Sequence, residues 1–288
     1  MKEIIKTNLL NETGVSGWMA DFGEHLPLDS RLYSGENAAV FHNKFPEEWA
    51  KLNHEAIAEW RSETGTTDEI VYFMRSANLK STLYTPLYWI GDQMVDWDQY
   101  DGLKSVLIAF LSGGIGGNSL THSDTGGYTQ FPPYIVRSKE LLMRWVELST
   151  FGSAVFRTHV GSSLSTHNYQ IYSESSVTEH FAIFANIFTA FANYRMKLMK
   201  KAEKYGWPLM RPLAFHFDES TWEIKDQYMF GEDYMIAPVL DAKLHKCAVF
   251  FPKKSRWIHF WSGDEIEGRG EKINIDCGIG LIPVFYRK

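Results

Sequence analysis

A short stretch at residues 17–27, GWMADFGEHLP, constrains the fold more than any other part of the sequence. It begins with small and apolar residues and ends abruptly in Asp21, Gly23 and Glu24. A buried strand that ends in carboxylates at a glycine turn is typical of an α/β barrel, where catalytic groups lie at the carboxyl ends of the strands. A carboxylate that only caps a turn or a helix is the alternative, and it stays open for any one acidic residue taken alone.

A second stretch of the same design, LYWIGD at residues 87–92, ends in Asp92. Two strand-end carboxylates at one barrel mouth predict glycoside hydrolysis, because that reaction uses a pair of Asp or Glu side chains. Asp21 and Asp92 are therefore the candidate catalytic residues.

Strand-like and helix-like segments alternate from residue 17 to about residue 205, the pattern of a parallel α/β architecture. Further strands are predicted at residues 70–74 and 154–159, and helices at residues 46–61, 99–110 and 138–148. One long helix is predicted from Ser176 to near Gly206, and Ser176 with Glu179 forms a capping-box pattern at its start. The strand-like segments are too few for eight strands, so either the sheet is open or the barrel is incomplete in this chain.

The pattern changes beyond Pro212, where short strand candidates are separated by Gly, Asp and Lys turns. They lie at residues 235–240, 247–251, 257–261, 272–275 and 281–286. Such a tail predicts a small antiparallel β domain. We expect a partial barrel at residues 1–225 and a C-terminal β domain at residues 226–288, with the boundary near residues 226–233.

Charge and cysteine content narrow the function classes. A net charge of −6 argues against a nucleic-acid partner. No stretch approaches the roughly twenty apolar residues of a membrane span, and residues 1–14 lack the apolar core of a signal peptide. Cys247 and Cys277 have no metal-ligand spacing, and whether they pair or stay as small buried thiols is left open. The compartment stays unknown, and a homo-oligomer is left open.

Seven motifs along the chain carry a resemblance to a known family. They are GWMADFGE, FMRS, WIGD, HSDTGGY, RTH, GEDYMIAPV and FFPKKSRWIHFWSG, in this order. In this order they resemble glycoside hydrolase family 31, most closely its sulfoquinovosidase-like and α-glucosidase-like members, over essentially the whole chain. Each motif alone is weak evidence for the family, but the occurrence of all of them in the same order is specific evidence for it.

The resemblance implies the C-terminal part of a (β/α)8 TIM barrel, about strands 4–8, followed by a small antiparallel β-sandwich. It implies a retaining α-glycosidase of carbohydrate metabolism that uses no cofactor and no metal. The implied substrate is a small-molecule α-glycoside, either an α-glucoside or an α-sulfoquinovoside. Members of the family are longer than this chain, so we expect the natural N-terminus to lie upstream.

By resemblance, Asp21 matches the nucleophile and Asp92 the general acid/base. A retaining glycosidase holds these carboxyl groups about 5–5.5 Å apart, so that one attacks the anomeric carbon while the other protonates the leaving oxygen. The resting enzyme then needs Asp21 ionised and Asp92 protonated, which requires environments that separate their pKa values.

The resemblance also implies a set of substrate-binding residues, each with a structural alternative. They are Arg75, Trp89, Asp124, Tyr128 and His159. Arg75 is expected near the nucleophile, with a salt bridge to a helix as the alternative. Trp89 is expected to line the wall beside the acid or to be a core residue. Asp124 would bind sugar or stabilise a turn, Tyr128 matches a sulfonate-binding tyrosine, and His159 matches a histidine that contacts sugar hydroxyls.

Two departures from the family pattern put sugar recognition in doubt. Ala77-Asn78-Leu79 stands where the family has a Gly-Phe run, and Val160-Gly161-Ser162 stands where sulfoquinovosidases have Glu-Gly-Asn.

The competing hypothesis is an inactive, truncated glycosidase-like fragment or sugar-binding relic, because an incomplete barrel leaves open strand edges. A truncated gene model is a third explanation. We expect the chain by itself to release no 4-nitrophenol from aryl α-glycosides.

Overall fold

The computed structural model describes residues 1–163 and 168–288. These residues form two compact units, Met1–Trp89 and Ile90–Lys288, which are treated in turn. Among the helices of these described residues, none is long and apolar enough to cross a membrane.

The first unit contains three parallel strands and one long helix. Its elements are α1 (Lys2–Ile4), a π-helical stretch (Ile5–Glu12), β1 (Gly17–Met19), α2 (Ala38–Phe41), a 3₁₀ turn (His42–Lys44), α3 (Phe45–Thr64), β2 (Val71–Met74), a second 3₁₀ turn (Ser81–Leu83) and β3 (Leu87–Trp89). Strand β2 lies between β1 and β3 and pairs parallel with both. All three strands therefore end at the same edge of the sheet.

Helix α3 covers the first unit's sheet because its sequence carries an apolar stripe between good end signals. Proline occupies the first helical turn, where no backbone donor is lost, and Gly65 ends the helix in the left-handed conformation. The Trp18 indole donates to Asn53 Oδ1 at 2.9 Å, and the Tyr72 hydroxyl donates to Ala50 O at 2.8 Å. These two bonds join β1 and β2 to the helix.

The second unit begins with helices and ends in antiparallel sheet. Its helices are α4 (Leu103–Ile115), α5 (Lys139–Gly152), α6 (Ser175–Ala190) and α7 (Ala192–Tyr205), with 3₁₀ turns at Leu213–Phe215 and Glu219–Glu223. Its strands are β4 (Thr121–His122), β5 (Met210–Arg211), β6 (Tyr228–Phe230), β7 (Tyr234–Ile236), β8 (Lys246–Phe251), β9 (Ser255–His259), β10 (Glu265–Gly268), β11 (Glu271–Asp276) and β12 (Val284–Arg287).

Strands β5 to β12 build two antiparallel sheets. One has the order β10-β9-β12-β7-β6-β5, and the other pairs β11 with β8. Together with the parallel strands of the first unit, these sheets confirm the predicted class of partial α/β barrel followed by an antiparallel β domain. The domain division at residues 225 and 226 stays a prediction.

Two predicted elements are wrong in detail. Residues 154–159 form no regular strand; Thr158 only bridges Thr125, and the Ala154 N–H donates to Thr121 O at 2.8 Å. The long helix is two helices, α6 and α7, separated by Phe191. The Phe191 ring is buried among aromatic rings, including Tyr234 at 4.9 Å between centroids, and its backbone leaves the regular helical conformation there.

The predicted capping box at Ser176 is also wrong. The N-cap of α6 is Glu174, and no side chain caps the helix. The Ser176 hydroxyl instead contacts the Glu174 carboxylate, which also forms an ion pair with Lys139. The two cysteines are free thiols, and Cys277 is buried.

A buried ion pair joins α5 to the end of β11. Arg144 and Glu147 are each about 1 % exposed in their side chains and lie 2.9 Å apart. The Arg144 guanidinium also donates to Cys277 O at 2.6 Å and Gly278 O at 3.1 Å, and Glu147 Oε1 accepts from the Gly280 N–H at 2.7 Å. Burial raises the pKa of Glu147, while Arg144 opposes that shift.

We expect Arg144→Met to lower the free energy of unfolding by about 3–5 kcal/mol, because Glu147 would be left buried without its cation. Arg144→Met combined with Glu147→Leu should be less damaging than the single change, since no unpaired charge remains. Urea denaturation measures both, with Lys200→Met on the exposed surface of α7 as control. A double variant less stable than Arg144→Met would contradict this account.

Candidate active site

Asp21 lies just beyond the carboxyl end of β1. Ala20 precedes it, and the Ala20 N–H donates to Phe73 O at 2.9 Å, which extends the pairing with β2 by one residue. The Asp21 carboxylate accepts from the Phe22 N–H at 2.7 Å and lies 3.3 Å from Arg75 Nη1. Its side chain remains 38 % exposed, so the carboxylate is held from one side and open to a ligand.

The turn after Asp21 is conformationally strained. Phe22 has φ 62°, a region that costs a bulky side chain energy, and Gly23 has φ 88°. A Cβ at Gly23 would come within 2.6 Å of the Trp49 ring and 2.7 Å of Ser76 Oγ. The Ser76 hydroxyl donates to Phe22 O at 2.7 Å. Close packing therefore requires glycine here and maintains the sharp turn that orients Asp21.

Arg75 follows β2 and contacts two carboxylates of the neighbouring strand end. Its Nε and Nη2 atoms donate to Glu24 Oε1 at 2.8 Å and 2.6 Å, while Nη1 faces Asp21. Its guanidinium also lies over the Phe22 ring, 4.6 Å from the centroid. The structure thus pairs Arg75 with the two strand-end carboxylates.

Trp89 is the last residue of β3 and is 2 % exposed. Its ring packs edge-on against Phe73 at 5.6 Å, and the Arg75 guanidinium lies 6.0 Å from its centroid. Trp89 is therefore a core residue that also forms an apolar wall beside Arg75.

Asp92 follows β3 in a loop that belongs to the second unit. Gly91 has φ 94°, and the Asp92 carbonyl accepts from Thr129 Oγ1 at 2.7 Å. The N–H groups of Tyr128 and Thr129 both donate to Gln93 O at 2.9 Å. These bonds fix the backbone at Asp92 and at the residue after it, while Asp92 itself is exposed.

Asp124 is buried in the loop after β4 and forms an ion pair with Arg157. Its carbonyl accepts from the Gly127 N–H at 2.8 Å, and the Thr125 N–H donates to Arg157 O at 2.9 Å. Asp124 therefore stabilises its own turn and orients Arg157. This structural role of Asp124 does not depend on contact with sugar.

Tyr128 and His159 meet in the second unit. Their rings pack edge to face with centroids 4.8 Å apart, and both are half-buried. His159 Nδ1 accepts from the Gly161 N–H at 3.1 Å. Burial lowers the pKa of His159, with smaller contributions from Arg157 and Arg137, so its imidazole is neutral at pH 7.

Arg137 joins the loops that carry Tyr128 and His159, a role that the sequence did not predict. Its guanidinium donates to the carbonyls of Gly127, His159 and Tyr169 at 3.3, 2.8 and 2.8 Å and to Gln170 Oε1 at 2.8 Å. Burial lowers its pKa to about 10, which leaves it charged at neutral pH. No motif signalled this role, because the carbonyls it binds are backbone groups.

The structure thus forms two clusters from the predicted residues. In the first unit, Arg75 contacts Asp21, and Trp89 lies beside Arg75. In the second, Tyr128 contacts His159, while Asp124 pairs with Arg157. Among residues 1–163 and 168–288, no group of three or more His, Cys, Asp or Glu side chains is placed to hold a metal ion.

Comparison with protein-family models matches almost the whole chain. Residues 2–201 match the TIM-barrel domain of glycosyl hydrolases family 31, and residues 206–288 match the family 31 C-terminal domain.

Similar proteins include two bacterial sulfoquinovosidases. The chain is 41% identical over 288 residues to the Escherichia coli sulfoquinovosidase and 40% identical to that of Agrobacterium fabrum, covering 99% of this chain in both cases. A solved family 31 sulfoquinovosidase from E. rectale, in complex with an aza-sugar inhibitor, superposes with a TM-score of 0.92 at 41% identity over 100% of this chain.

The chain spans about two fifths of these relatives, since it covers 41% and 42% of the two curated proteins and 42% of the solved structure. The two family models together cover all seven motifs noted above. This chain belongs to glycosyl hydrolase family 31.

Proposed function

We propose that this chain carries the two catalytic carboxylates of a retaining α-glycosidase, with Asp21 as nucleophile and Asp92 as general acid/base. The observation that carries the proposal is the placement of Asp21 in a family 31 chain. It follows a parallel strand, accepts the Phe22 N–H and faces the Arg75 guanidinium while staying open to a ligand.

Asp21 is suited to nucleophilic attack because donors hold its carboxylate from one side only. The Phe22 N–H donates to it at 2.7 Å, and Arg75 Nη1 lies 3.3 Å away. Glu24 accepts two bonds from Arg75 and so fixes the orientation of that guanidinium. The open side of the carboxylate is then free to bond to an anomeric carbon.

Asp92 is suited to proton transfer because its loop is fixed while its carboxyl is exposed. In the first step it would protonate the glycosidic oxygen as Asp21 displaces the aglycone. In the second it would take a proton from the water that hydrolyses the glycosyl–enzyme ester. This double role requires a carboxyl group that meets both the leaving group and solvent.

The remaining predicted residues are proposed to bind the sugar. Arg75 donates to hydroxyls, Trp89 forms an apolar wall, and neutral His159, whose Nδ1 accepts from the Gly161 N–H, donates from Nε2. Tyr128 packs on His159, and Asp124 acts by orienting Arg157. We propose an α-sulfoquinovoside or α-glucoside as substrate, since the E. coli and A. fabrum relatives are sulfoquinovosidases.

An inactive glycosidase-like fragment or sugar-binding relic is the second candidate. The chain spans 41% of the length of the E. coli relative, so similarity alone does not assign the activity of that whole protein to it. Both candidates predict little turnover by the chain alone, so the decisive assay uses the chain fused to the part of the E. coli protein that it does not match.

We expect Asp21→Asn in this fusion to lower kcat for 4-nitrophenyl α-sulfoquinovoside or α-glucoside by about 10⁴-fold or more, because removing a covalent nucleophile costs that order. Asp92→Asn should reduce turnover less for this activated leaving group, which needs little protonation. Asp68→Asn, an exposed carboxylate in the loop before β2, is the matched control and should leave the rate unchanged.

A folded fusion that hydrolyses neither substrate would contradict the proposed activity and favour the relic. Turnover that survives Asp21→Asn would instead reject Asp21 as nucleophile. Release of 4-nitrophenol by the 288-residue chain itself, lost in Asp21→Asn, would overturn both the relic hypothesis and the expectation that the chain alone is inactive.

The stereochemistry of the product tests the retaining mechanism separately. We expect the first-formed sugar to be the α-anomer, because two displacements at the anomeric carbon restore its configuration. Proton NMR during early turnover of the active fusion measures this directly. A β-anomer as the initial product would show inversion and would assign Asp21 a different role.

Arg75→Lys is expected to lower kcat/KM by about 10- to 100-fold, because an ammonium cannot donate to Glu24 and face Asp21 in the same fixed geometry. Arg269→Lys is the matched control, since the ion pair of Arg269 with Glu267 is exposed. Steady-state kinetics in the fusion compare the two. An equal effect of both substitutions would contradict a positioning role for Arg75.

A further inference from the structure

A cavity of about 510 Å³ lies in the second unit, between the turn that joins β8 to β9 and the end of β12. Five cationic side chains line it: Lys253, Lys254, Arg256, Arg287 and Lys288. The one acidic side chain among the described residues that line it is Asp218, which already accepts the Ser220 N–H at 3.0 Å as a helix cap. This concentration of positive charge stands out in a chain whose net charge is −6.

Most of these cations form no close ion pair, although Lys253 acts electrostatically on Asp218 and Arg256 on Glu265 at longer range. Lys288 forms an ion pair with Glu265. Among the residues that the structure describes, Lys253, Lys254, Arg256 and Arg287 have no carboxylate within 4.0 Å. His216 also lines the cavity, but burial, together with Arg211 and Arg287, lowers its pKa to about 4, so it adds no charge at pH 7.

Contacts within the fold hold the Arg287 guanidinium and the backbone of the β8–β9 turn in place, although the five cationic residues are exposed. The Arg287 guanidinium stacks over Phe217 and Trp257, 5.0 Å and 5.5 Å from their centroids. The Trp257 indole donates to Ser255 Oγ at 2.7 Å, and the Ser255 hydroxyl donates to Pro252 O, which closes the turn. A stacked guanidinium keeps its edge free to donate, so the site is organised before any ligand arrives.

The lack of space at Gly268 also shows that this turn is closely packed. A Cβ at Gly268 would come within 2.0 Å of Pro252 O and 2.3 Å of Ser255 Oγ, so β10 lies directly against the turn. Lys254 itself has φ 60°, a conformation that the surrounding bonds must maintain. The backbone that carries Lys253 and Lys254 is thus fixed. A basic surface that only contacts solvent would need no such rigidity.

We propose that this cavity binds a compact polyanion that carries at least two phosphate or sulfate groups. The lysines of the turn supply point charges, and the Arg287 fork supplies paired donors that match tetrahedral oxyanions. Two anionic groups are required because the cations come from two sides, the β8–β9 turn and the end of β12. This site stands independently of the glycosidase activity proposed above.

Titration calorimetry with the 288-residue chain at about 0.15 M salt tests the proposal, since screening at that ionic strength suppresses diffuse charge attraction. Inorganic tripolyphosphate and a sulfated tetrasaccharide are the two probes, with the neutral disaccharide maltose as reference. Lys253→Glu is the test variant, and Lys200→Glu, the same charge change on exposed α7, is the matched control.

We expect one of the two anionic probes to bind with a dissociation constant below about 1 mM. Lys253→Glu should raise that dissociation constant about tenfold or more. Lys200→Glu should change it less than about twofold. Tighter binding of tripolyphosphate assigns the site to phosphate compounds, and tighter binding of the tetrasaccharide assigns it to sulfated sugars.

Arg287→Lys provides a second variant that keeps the charge but loses the stacked fork. We expect this substitution to raise the dissociation constant of the probe that binds by a measurable amount, while circular dichroism shows an intact fold. Equal effects of Lys253→Glu and Lys200→Glu would show nonspecific attraction and overturn the proposal. So would the absence of binding of both anionic probes, or affinity for maltose equal to theirs.

Discussion

The parallel pairing of β1 with β2 is the constraint on which the candidate site depends. Because the strands run the same way, Asp21 and Arg75 emerge at one edge of the sheet and reach each other across it. Glu24 then binds the same guanidinium, and the strained turn between the two carboxylates is maintained by close packing at Gly23. A shift of one residue in this register would move the Arg75 side chain to the other face and separate the charges.

Arginines buried against backbone carbonyls have the corresponding role in the second unit. Arg137 binds the carbonyls of Gly127 and His159 and so fixes the loops that carry Tyr128 and His159. Arg144 does the same between α5 and the end of β11. In both cases a charged side chain is retained inside the protein because several carbonyl dipoles and, for Arg144, a buried carboxylate compensate its lost hydration.

Local sequence pattern predicted the regular elements well where apolar spacing was strong. Helix α3 and strand β2 lie within a few residues of their expected positions, and β8, β9, β11 and β12 were all anticipated in the tail. Failures occurred where tertiary packing overrode local preference. Phe191 interrupts a continuous helical stripe because its ring is buried among aromatic side chains, and residues 154–159 bond through isolated backbone groups and not as a strand.

The sequence alone determined the fold class, the family and the identity of the candidate carboxylates, because strand-end acids and ordered motifs are local signals. The tertiary structure alone decided further contacts: the bonds of Arg75 to Glu24, the packing of Tyr128 on His159, and the role of Arg137. It also decided the basic cavity at the β8–β9 turn, whose cations come from two segments of the chain, residues 253–256 and 287–288. These features depend on contacts between distant residues, which no local periodicity specifies.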